Sequence, residues 1–264
     1  GSEADLGYFI AEGVLVVEHL LDSRFPIESV FVSHSRVPGV EELLKRVPDS
    51  IPVYVAEQTV MDEIVGFPIH RGLLACGKRI PNPDPVELAR SSRALVILED
   101  LSNHDNVGSV FRSTAALGGE GVSVILSARC CDPLYRKSLR VSMGHALRVP
   151  YAIVEDLSEF IEKIRTLGFT SLAMTPDPGG EPVSMASHRA IERPALCFGA
   201  EGPNDGVCGP PCTNSDGARC GFVEYFRRGG RYSPCMPRAS IGLGASNFQS
   251  RPLREADGRA KAGL

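Results

Sequence analysis

The sequence contains no tryptophan, and aromatic side chains make up only 6% of its 264 residues. A fold or a ligand site built on many aromatic anchors is therefore not expected. No apolar run approaches the roughly 18 residues that a membrane-spanning helix needs. The first residues also lack the basic stretch and apolar core of a signal peptide. We therefore expect a cytoplasmic protein with no membrane partner.

An excess of basic residues is also absent, since the formal net charge at pH 7 is −4. The whole chain thus carries no general signature of nucleic-acid binding, and any contact with RNA requires a local basic cluster. Hydrophobic residues make up 43% of the chain and charged residues 23%. This balance is typical of globular domains and not of disordered chains.

The eight cysteines include no CxxC pair. Four are scattered through apolar surroundings, which predicts reduced thiols in the core of a cytosolic protein: Cys76, Cys130, Cys131 and Cys197. The other four have gaps of 4, 8 and 15 residues, wider than the pairs typical of closed zinc sites: Cys208, Cys212, Cys220 and Cys235. We therefore predict no metal site.

Residues 1–79 have the pattern of a small α/β domain. The predicted order is a helix over 8–20, a strand over 29–34, a helix over 40–47, a strand over 52–57, a helix over 59–66 and a strand over 70–79. Residues 80–93 follow with prolines at 81, 83 and 85. Because proline opposes both helix and sheet pairing, this stretch is predicted to be a linker.

Residues 94–203 have the pattern of a second α/β domain, in which apolar strands alternate with helices around a parallel sheet. The predicted strands are 94–100, 122–126, 148–154, 170–175 and 194–199, and the predicted helices are 106–118, 132–146 and 157–168. Ligands of such sheets bind beyond the carboxyl ends of the strands. Three of these exits, at 98–119, 172–180 and 197–203, are expected to converge on one crevice.

The first exit offers Asn106 as a helix cap, and Gly108 and Arg112 follow on the same helix. From the local sequence alone, these residues could equally be an ordinary helix cap and a surface arginine without a functional role. His104 in the same loop is either a base or a solvated side chain. The other exits supply Met174 and Thr175, and a glycine-rich turn whose backbone can approach a ligand closely: Gly199, Ala200, Glu201 and Gly202.

Basic residues cluster on the helix predicted over 132–146. Arg136, Lys137 and Arg140 occupy neighbouring turns, and His145 and Arg148 follow. This cluster is either a phosphate-facing patch or an ordinary solvated face.

Taken together, the segments resemble the SpoU/TrmH class of SPOUT RNA ribose 2′-O-methyltransferases. The first family motif, Asn-x-Gly followed by Arg, corresponds to Asn106, Gly108 and Arg112, and the second corresponds to CFGAEG ending at Gly202. The stretch from Phe9 to Ala75 resembles the ribosomal-protein-like RNA-binding domain that many members carry.

The resemblance implies S-adenosylmethionine as the methyl donor, an RNA ribose 2′-hydroxyl as the acceptor, and a homodimer. It also implies a knotted cofactor pocket that uses Met174, Thr175 and residues 199–202. Arg112 then either activates the hydroxyl or holds the target phosphate, while Asn106 and Glu201 orient Arg112 and the ribose. RNA contacts are expected from the basic cluster and from His70 and Arg71, with ribosomal RNA favoured over transfer RNA and no DNA partner.

The third family motif, approximately Ile-Pro-Met-x-x-Gly-x-x-Ser-Leu-Asn-x-Ser-x-Ala, is missing from residues 204–264. This tail holds 10 of the 27 glycines and 9 of the 28 basic residues, but only 5 of the 32 acidic ones. It is expected to be disordered. If the codons of residues 212–228 are read with the frame shifted forward by one base, they can encode APIPMARGVDSLNISA, which matches the missing motif. We therefore hypothesise an out-of-frame tail that begins near Pro203, and expect weak or absent methyl transfer.

Two other functions fit parts of the sequence. A non-catalytic RNA-binding protein would use the first domain and the basic tail, and would not require S-adenosylmethionine. A nicotinamide dehydrogenase is suggested by the alternating strands and helices alone. However, no GxGxxG motif opens the first helix of residues 94–203.

Overall fold

The computed structural model describes residues 6–65, 72–174 and 191–199. They form two sheets with helices between and around them. The elements of the first part are β1 (Tyr8–Glu12), α1 (Val14–Leu21), β2 (Ile27–Ser33), α2 (Glu41–Leu44), β3 (Val53–Ala56), α3 (Gln58–Val65) and β4 (Leu73–Lys78). A 3₁₀ helix, His34–Gly39, follows β2.

The helix predicted over 8–20 is wrong in its first half. Residues 8–12 form strand β1, in which the buried side chains Phe9 and Ala11 alternate with partly exposed neighbours. Gly13 has a φ of 91°, which separates the strand from helix α1. The spacing of the apolar residues is compatible with a helix and with a strand. Residues 8–12 form a strand because they pair with β4.

The first sheet has the order β1-β4-β2-β3. Strand β4 is antiparallel to both of its neighbours, whereas β2 and β3 are parallel. Strands β2, β3 and β4 confirm the predicted strands, with slightly shifted ends. The predicted helix over 40–47 shortens to α2.

The stretch predicted to be a linker contains a helix, α4 (Pro85–Ser91). Its amino end is capped by the carboxylate of Asp84, which accepts hydrogen bonds from the backbone N–H groups of Val86 and Glu87, both at 2.9 Å. Pro85 occupies the first helical position, where the missing N–H costs nothing. The prediction that these prolines exclude a helix was therefore wrong, because it ignored this tolerated position.

The second sheet is fully parallel, as predicted, with the order β7-β6-β5-β9-β8. Its elements are β5 (Ala94–Leu98), α5 (His104–Ser113), β6 (Val122–Ser127), α6 (Arg136–Val141), β7 (Tyr151–Val154), α7 (Leu157–Thr166), β8 (Thr170–Met174) and β9 (Pro194–Phe198). A π-helical turn, Thr114–Gly118, extends α5.

The helix predicted over 132–146 is interrupted. Helix α6 ends at Val141, and the chain then turns through Met143 and Gly144, whose φ angles are 55° and 83°. A 3₁₀ turn, His145–Leu147, follows. The sequence showed only one glycine near this end, and the periodicity of the apolar residues continued past it.

One apolar cluster runs from the first sheet into the second. It joins Phe9 and Val17 of the first part to Leu98, Phe111 and Leu139 of the second. A separate cluster packs α4 and α7 against the opposite face of the parallel sheet. The helices of the described residues are all too short or too polar to cross a membrane.

Candidate functional site

Three strand exits lie side by side at the carboxyl edge of the parallel sheet. Phe198 at the end of β9 is in register with Leu98 of β5 on one side and with Met174 of β8 on the other. The backbone N–H of Glu99 donates to the carbonyl of Phe198 at 2.8 Å, so the pairing continues past the last residue of β5. The adjacency of the three exits was predicted from the strand pattern.

The loop after β5 is fastened to the end of β6 by Asp100. The hydroxyl of Ser127 donates to its carboxylate at 2.8 Å and accepts from its backbone N–H at 2.9 Å. The guanidinium of Arg129 pairs with the same carboxylate and holds the pKa of Asp100 below its usual range. Asp100 has a φ of 55°, so the chain turns sharply here and starts the approach to α5.

Helix α5 begins at His104, two residues earlier than predicted. Its cap is Asn103, whose side chain accepts from the backbone N–H of Asp105 at 2.8 Å. Asn106, which was predicted to be the cap, lies inside the first helical turn and is half-buried. The amide of Asn106 is therefore not used to cap the helix.

Gly108 of the first motif is a close-packing position. A Cβ placed there would lie 2.8 Å from the carbonyl oxygen of Ser138 and 2.8 Å from the Cβ of Val141. Helices α5 and α6 therefore approach each other at a distance that excludes any side chain at Gly108. The sequence showed this glycine as part of a motif without indicating why it is needed.

Arg112 is exposed in the last turn of α5 and makes no hydrogen bond or ion pair with the described residues. It is six residues from Asn106, which corresponds to about 9 Å along the helix axis and about 120° around it. The two side chains therefore leave the helix in different directions. The positive charge of Arg112 contributes to lowering the pKa of His145, behind burial and the charges of His19 and Arg148.

The predicted basic cluster divides into three environments. Arg136 is half-buried, whereas Lys137 forms an ion pair with Asp105 at 2.7 Å. Arg140 is exposed and has no ion pair in the part of the chain that the structure describes. Within α6, Arg140 is therefore the cation best placed to meet an external phosphate.

A histidine pair connects the two parts of the chain. The rings of His19 on α1 and His145 lie 4.7 Å apart. His19 is only 8% exposed, and its Nδ1 is buried with no hydrogen-bond partner among the described residues. Burial lowers the pKa of both rings, and a hydrogen bond with the backbone of Met143 partly offsets this for His19. Sequence reasoning missed this contact, because the two residues are 126 positions apart.

The strand exits offer a surface suited to a nucleoside. Met174 and Phe198 are half-buried apolar residues at this edge. Among the described residues, the atom nearest to a Cβ placed on Gly199 would be the Oε2 of Glu99 at 3.8 Å. A planar base can pack on the apolar side chains, and a carboxylate can accept hydrogen bonds from ribose hydroxyls.

Several predicted site residues lie outside the described residues: Thr175, Ala200, Glu201, Gly202, His70 and Arg71. In the described ranges, no group of three or more histidine, cysteine, aspartate or glutamate side chains is arranged to hold a metal ion. Burial raises the pKa of Cys131 to about 11.

An open cavity of about 530 Å³ lies in the first part of the chain, away from the parallel sheet. Its lining includes Ser33, Ser35, Arg36, Gln58 and Gly72. No motif in the sequence indicated it, because these residues come from three separate elements.

Comparison with known proteins agrees with the fold and the motifs. Residues 93–206 match the SpoU rRNA methylase family. An uncharacterised tRNA/rRNA methyltransferase of Mycobacterium bovis is 40% identical over 198 residues, which cover 74% of this chain and 66% of the relative. The chain thus spans slightly less than two thirds of the length of this relative.

Two solved structures show the same fold. The AdoMet-bound rRNA methyltransferase of Sinorhizobium meliloti is 18% identical, with a TM-score of 0.59 over 79% of this chain and 83% of the other. An RNA 2′-O ribose methyltransferase is 20% identical, with a TM-score of 0.57 over 75% of this chain and 74% of the other. Residues 93–206, with their parallel sheet, adjacent strand exits and both motifs, thus match the SpoU rRNA methylase family.

Proposed function

We propose that the chain derives from an RNA methyltransferase that transfers a methyl group from S-adenosylmethionine to a ribose 2′-hydroxyl. The observation that carries this proposal is the adjacency of three parallel strand exits, with the Asn106–Arg112 motif on the helix that follows the first of them. Related folds include an AdoMet-bound rRNA methyltransferase and an RNA 2′-O ribose methyltransferase.

The nucleoside of S-adenosylmethionine would be held at the strand exits. Met174 and Phe198 provide apolar contact, and Gly199 leaves room for a close backbone approach. When bound, this cofactor supplies a methyl group on a positively charged sulfur. Thr175 and residues 200–202 would complete the pocket. The fixed loop at Asp100 keeps the edge rigid, which favours precise alignment of the reacting groups.

The protein's remaining task is to orient the RNA. The Asn106 amide, in the first turn of α5, makes no side-chain hydrogen bond with the described residues and can hold the ribose. Arg112 is a permanent cation, so we assign it to the target phosphate in preference to proton removal. The two side chains leave α5 about 120° apart, so a homodimer in which Arg112 of one subunit and Asn106 of the other contact one RNA would fit their directions. This supports the expected homodimer.

Ribosomal RNA is the proposed substrate class. The first part of the chain would contribute to its binding through His70 and Arg71, and Arg140, with Arg136 and Lys137 beside it, would contact phosphates. The exposed Arg36 at the cavity of the first part adds a further cation without an ion pair among the described residues. We also place this protein in the cytoplasm, where its substrate is found.

The tail after about residue 203 would leave the enzyme incomplete. The family match ends at residue 206, close to the proposed frame break. We therefore assign the boundaries 1–79 and 94–203 to the two functional domains and no catalytic role to 204–264. Without the third motif, the chain lacks the serine and asparagine expected in the site, as well as the segment that closes the knot.

Titration calorimetry with S-adenosylmethionine, paired with a methyl-transfer assay on ribosomal RNA, tests the proposal. The chain and a version with the restored frame are compared. We expect the restored version to bind the cofactor and to methylate a 2′-hydroxyl, and the present chain to be weak or inactive. RNA binding without any affinity for the cofactor in either version would instead establish a non-catalytic RNA-binding protein.

A further inference from the structure

A half-buried histidine and an exposed tyrosine form an aromatic pair beside the proposed site. The imidazole of His104, the first residue of α5, and the phenol ring of Tyr135, at the amino end of α6, have centroids 4.4 Å apart and planes tilted by 46°. Tyr135 is 48% exposed and belongs to none of the apolar clusters of the described residues. One side of the phenol ring therefore contacts His104, and much of the rest faces solvent.

The pair is held in place from both sides. The backbone N–H of Tyr135 donates to the carbonyl of Asp132 at 3.2 Å, and its carbonyl accepts from Leu139 at 3.0 Å. The ion pair between Lys137 and Asp105 joins the same two helix starts at 2.7 Å. A ring in a fixed position loses little conformational entropy when it binds a flat partner.

The surroundings are those of a nucleic-acid contact. Lys137 lies at the same two helix starts through its ion pair with Asp105, and the exposed Arg140 extends from the same helix as Lys137 without an ion pair among the described residues. Core packing does not explain the position of the Tyr135 ring. An aromatic ring stabilises a core mainly through burial, and this ring is largely exposed. Aromatic faces next to unpaired cations are the arrangement with which proteins bind single-stranded RNA, by stacking on bases while cations hold phosphates.

We propose that His104 and Tyr135 form a stacking platform for an unpaired RNA base next to the nucleotide that receives the methyl group. This inference rests on the proposed function, since it requires RNA at this edge of the sheet. The platform would hold the neighbouring base at the starts of α5 and α6. It would favour methylation sites in loops over sites in continuous duplexes, because a base within a duplex is already stacked on its neighbours.

The test compares two probes of equal length and charge. One is fluorescein-labelled oligouridylate, and the other is the same ribose-phosphate strand without bases. Fluorescence anisotropy gives the affinity of the full chain for each. We expect oligouridylate to bind more tightly, and Tyr135→Leu to weaken its binding roughly 5- to 100-fold. Tyr135→Leu should leave the affinity for the abasic strand unchanged, because phosphate contacts remain.

Tyr135→Phe keeps the ring and should retain the wild-type preference for bases. Tyr54→Leu is the matched control, since Tyr54 is 58% exposed on β3 of the first sheet. This substitution should leave the affinity for oligouridylate unchanged. Thermal unfolding of each variant identifies any loss of folding, and His104→Ala then provides a second perturbation of the platform.

Equal affinity of the wild-type chain for both probes would overturn the platform. So would a Tyr135→Leu variant that keeps the full preference for oligouridylate. Calorimetry with S-adenosylmethionine separates this failure from failure of the proposed function: cofactor and RNA binding without a base preference contradicts only the platform. A chain that binds neither RNA nor cofactor contradicts both.

Discussion

Arg79 and Asp132 join the two parts of the chain by two side-chain hydrogen bonds. The Nη1 of Arg79 donates to Oδ1 of Asp132 at 3.3 Å, and Nη2 pairs with Oδ2. The Nε of Arg79 also donates to the carbonyl of Tyr8 at 3.0 Å. Since Asp132 precedes α6, this pair sets where the first sheet lies relative to the basic helix.

We expect this pair to contribute measurably to stability. Arg79→Gln and Asp132→Asn, singly and together, should give a coupling free energy of about 1 kcal/mol in urea unfolding, because the side chains are only 24% and 32% exposed. The control is Arg46 with Asp22, which are 45% and 50% exposed, and should couple by about 0.3 kcal/mol. Equal coupling in both pairs would contradict the prediction.

Substitution of Gly108 should destabilise the fold through helix packing. Gly108→Ala forces a methyl group against Ser138 and Val141, and should lower the free energy of unfolding by about 1–3 kcal/mol. Gly39→Ala is the control, because its Cβ would find no atom nearer than Nη1 of Arg36 at 3.8 Å. We expect that change to stay within about 0.5 kcal/mol. A stable Gly108→Ala variant would show that α5 and α6 can separate.

The histidine pair should make stability depend on pH. The folded state lowers the pKa of His19 and His145, chiefly by burial and also through Arg148. The unfolded chain therefore binds more protons near and below pH 6.5, so stability is complete above that value and falls as the pH decreases. Nearby Asp22 and Glu18 act in the opposite direction on His19, without reversing the shift.

Urea unfolding between pH 5 and pH 8 measures this effect. The His19→Gln variant should show a flatter pH dependence than the wild-type chain, because it removes one of the two shifted groups. His34→Gln, an exposed histidine of the first part, should leave the dependence unchanged. Two parallel curves for His19→Gln and the wild type would assign the pH dependence to other groups.

Arg140 should contact phosphate. Arg140→Ala is expected to weaken RNA binding for all sequences, and to reduce the slope of log affinity against log salt by about one. Arg165→Ala is the matched control on α7, since Arg165 pairs with Glu162 at 3.1 Å. An unchanged salt slope for Arg140→Ala would exclude a phosphate contact at this position.

Restoring the reading frame after about residue 203 should recover the third motif. We expect the restored chain to bind S-adenosylmethionine at least tenfold more tightly than the present one, because the missing segment would close the pocket. Calorimetry measures the two affinities. Sequencing of the gene around codons 200–210 provides the independent check, and an uninterrupted frame shared by intact relatives would refute the hypothesis.

The sequence by itself determined the parallel sheet and the positions of its three adjacent exits. Continuous apolar runs such as residues 94–98 identify buried parallel strands without any knowledge of the rest of the fold. The motif residues Asn106, Gly108 and Arg112 were also visible, because their spacing is local.

Only the tertiary structure decided features that depend on contacts between distant segments. Residues 8–12 became a strand because β4 pairs with them, and Ser127 holds Asp100 in the loop that leads to helix α5. The contact of His19 with His145 and the close approach at Gly108 join residues far apart in the chain. Local periodicity carries no information on such pairs, since their energies arise from packing that exists only in the folded chain.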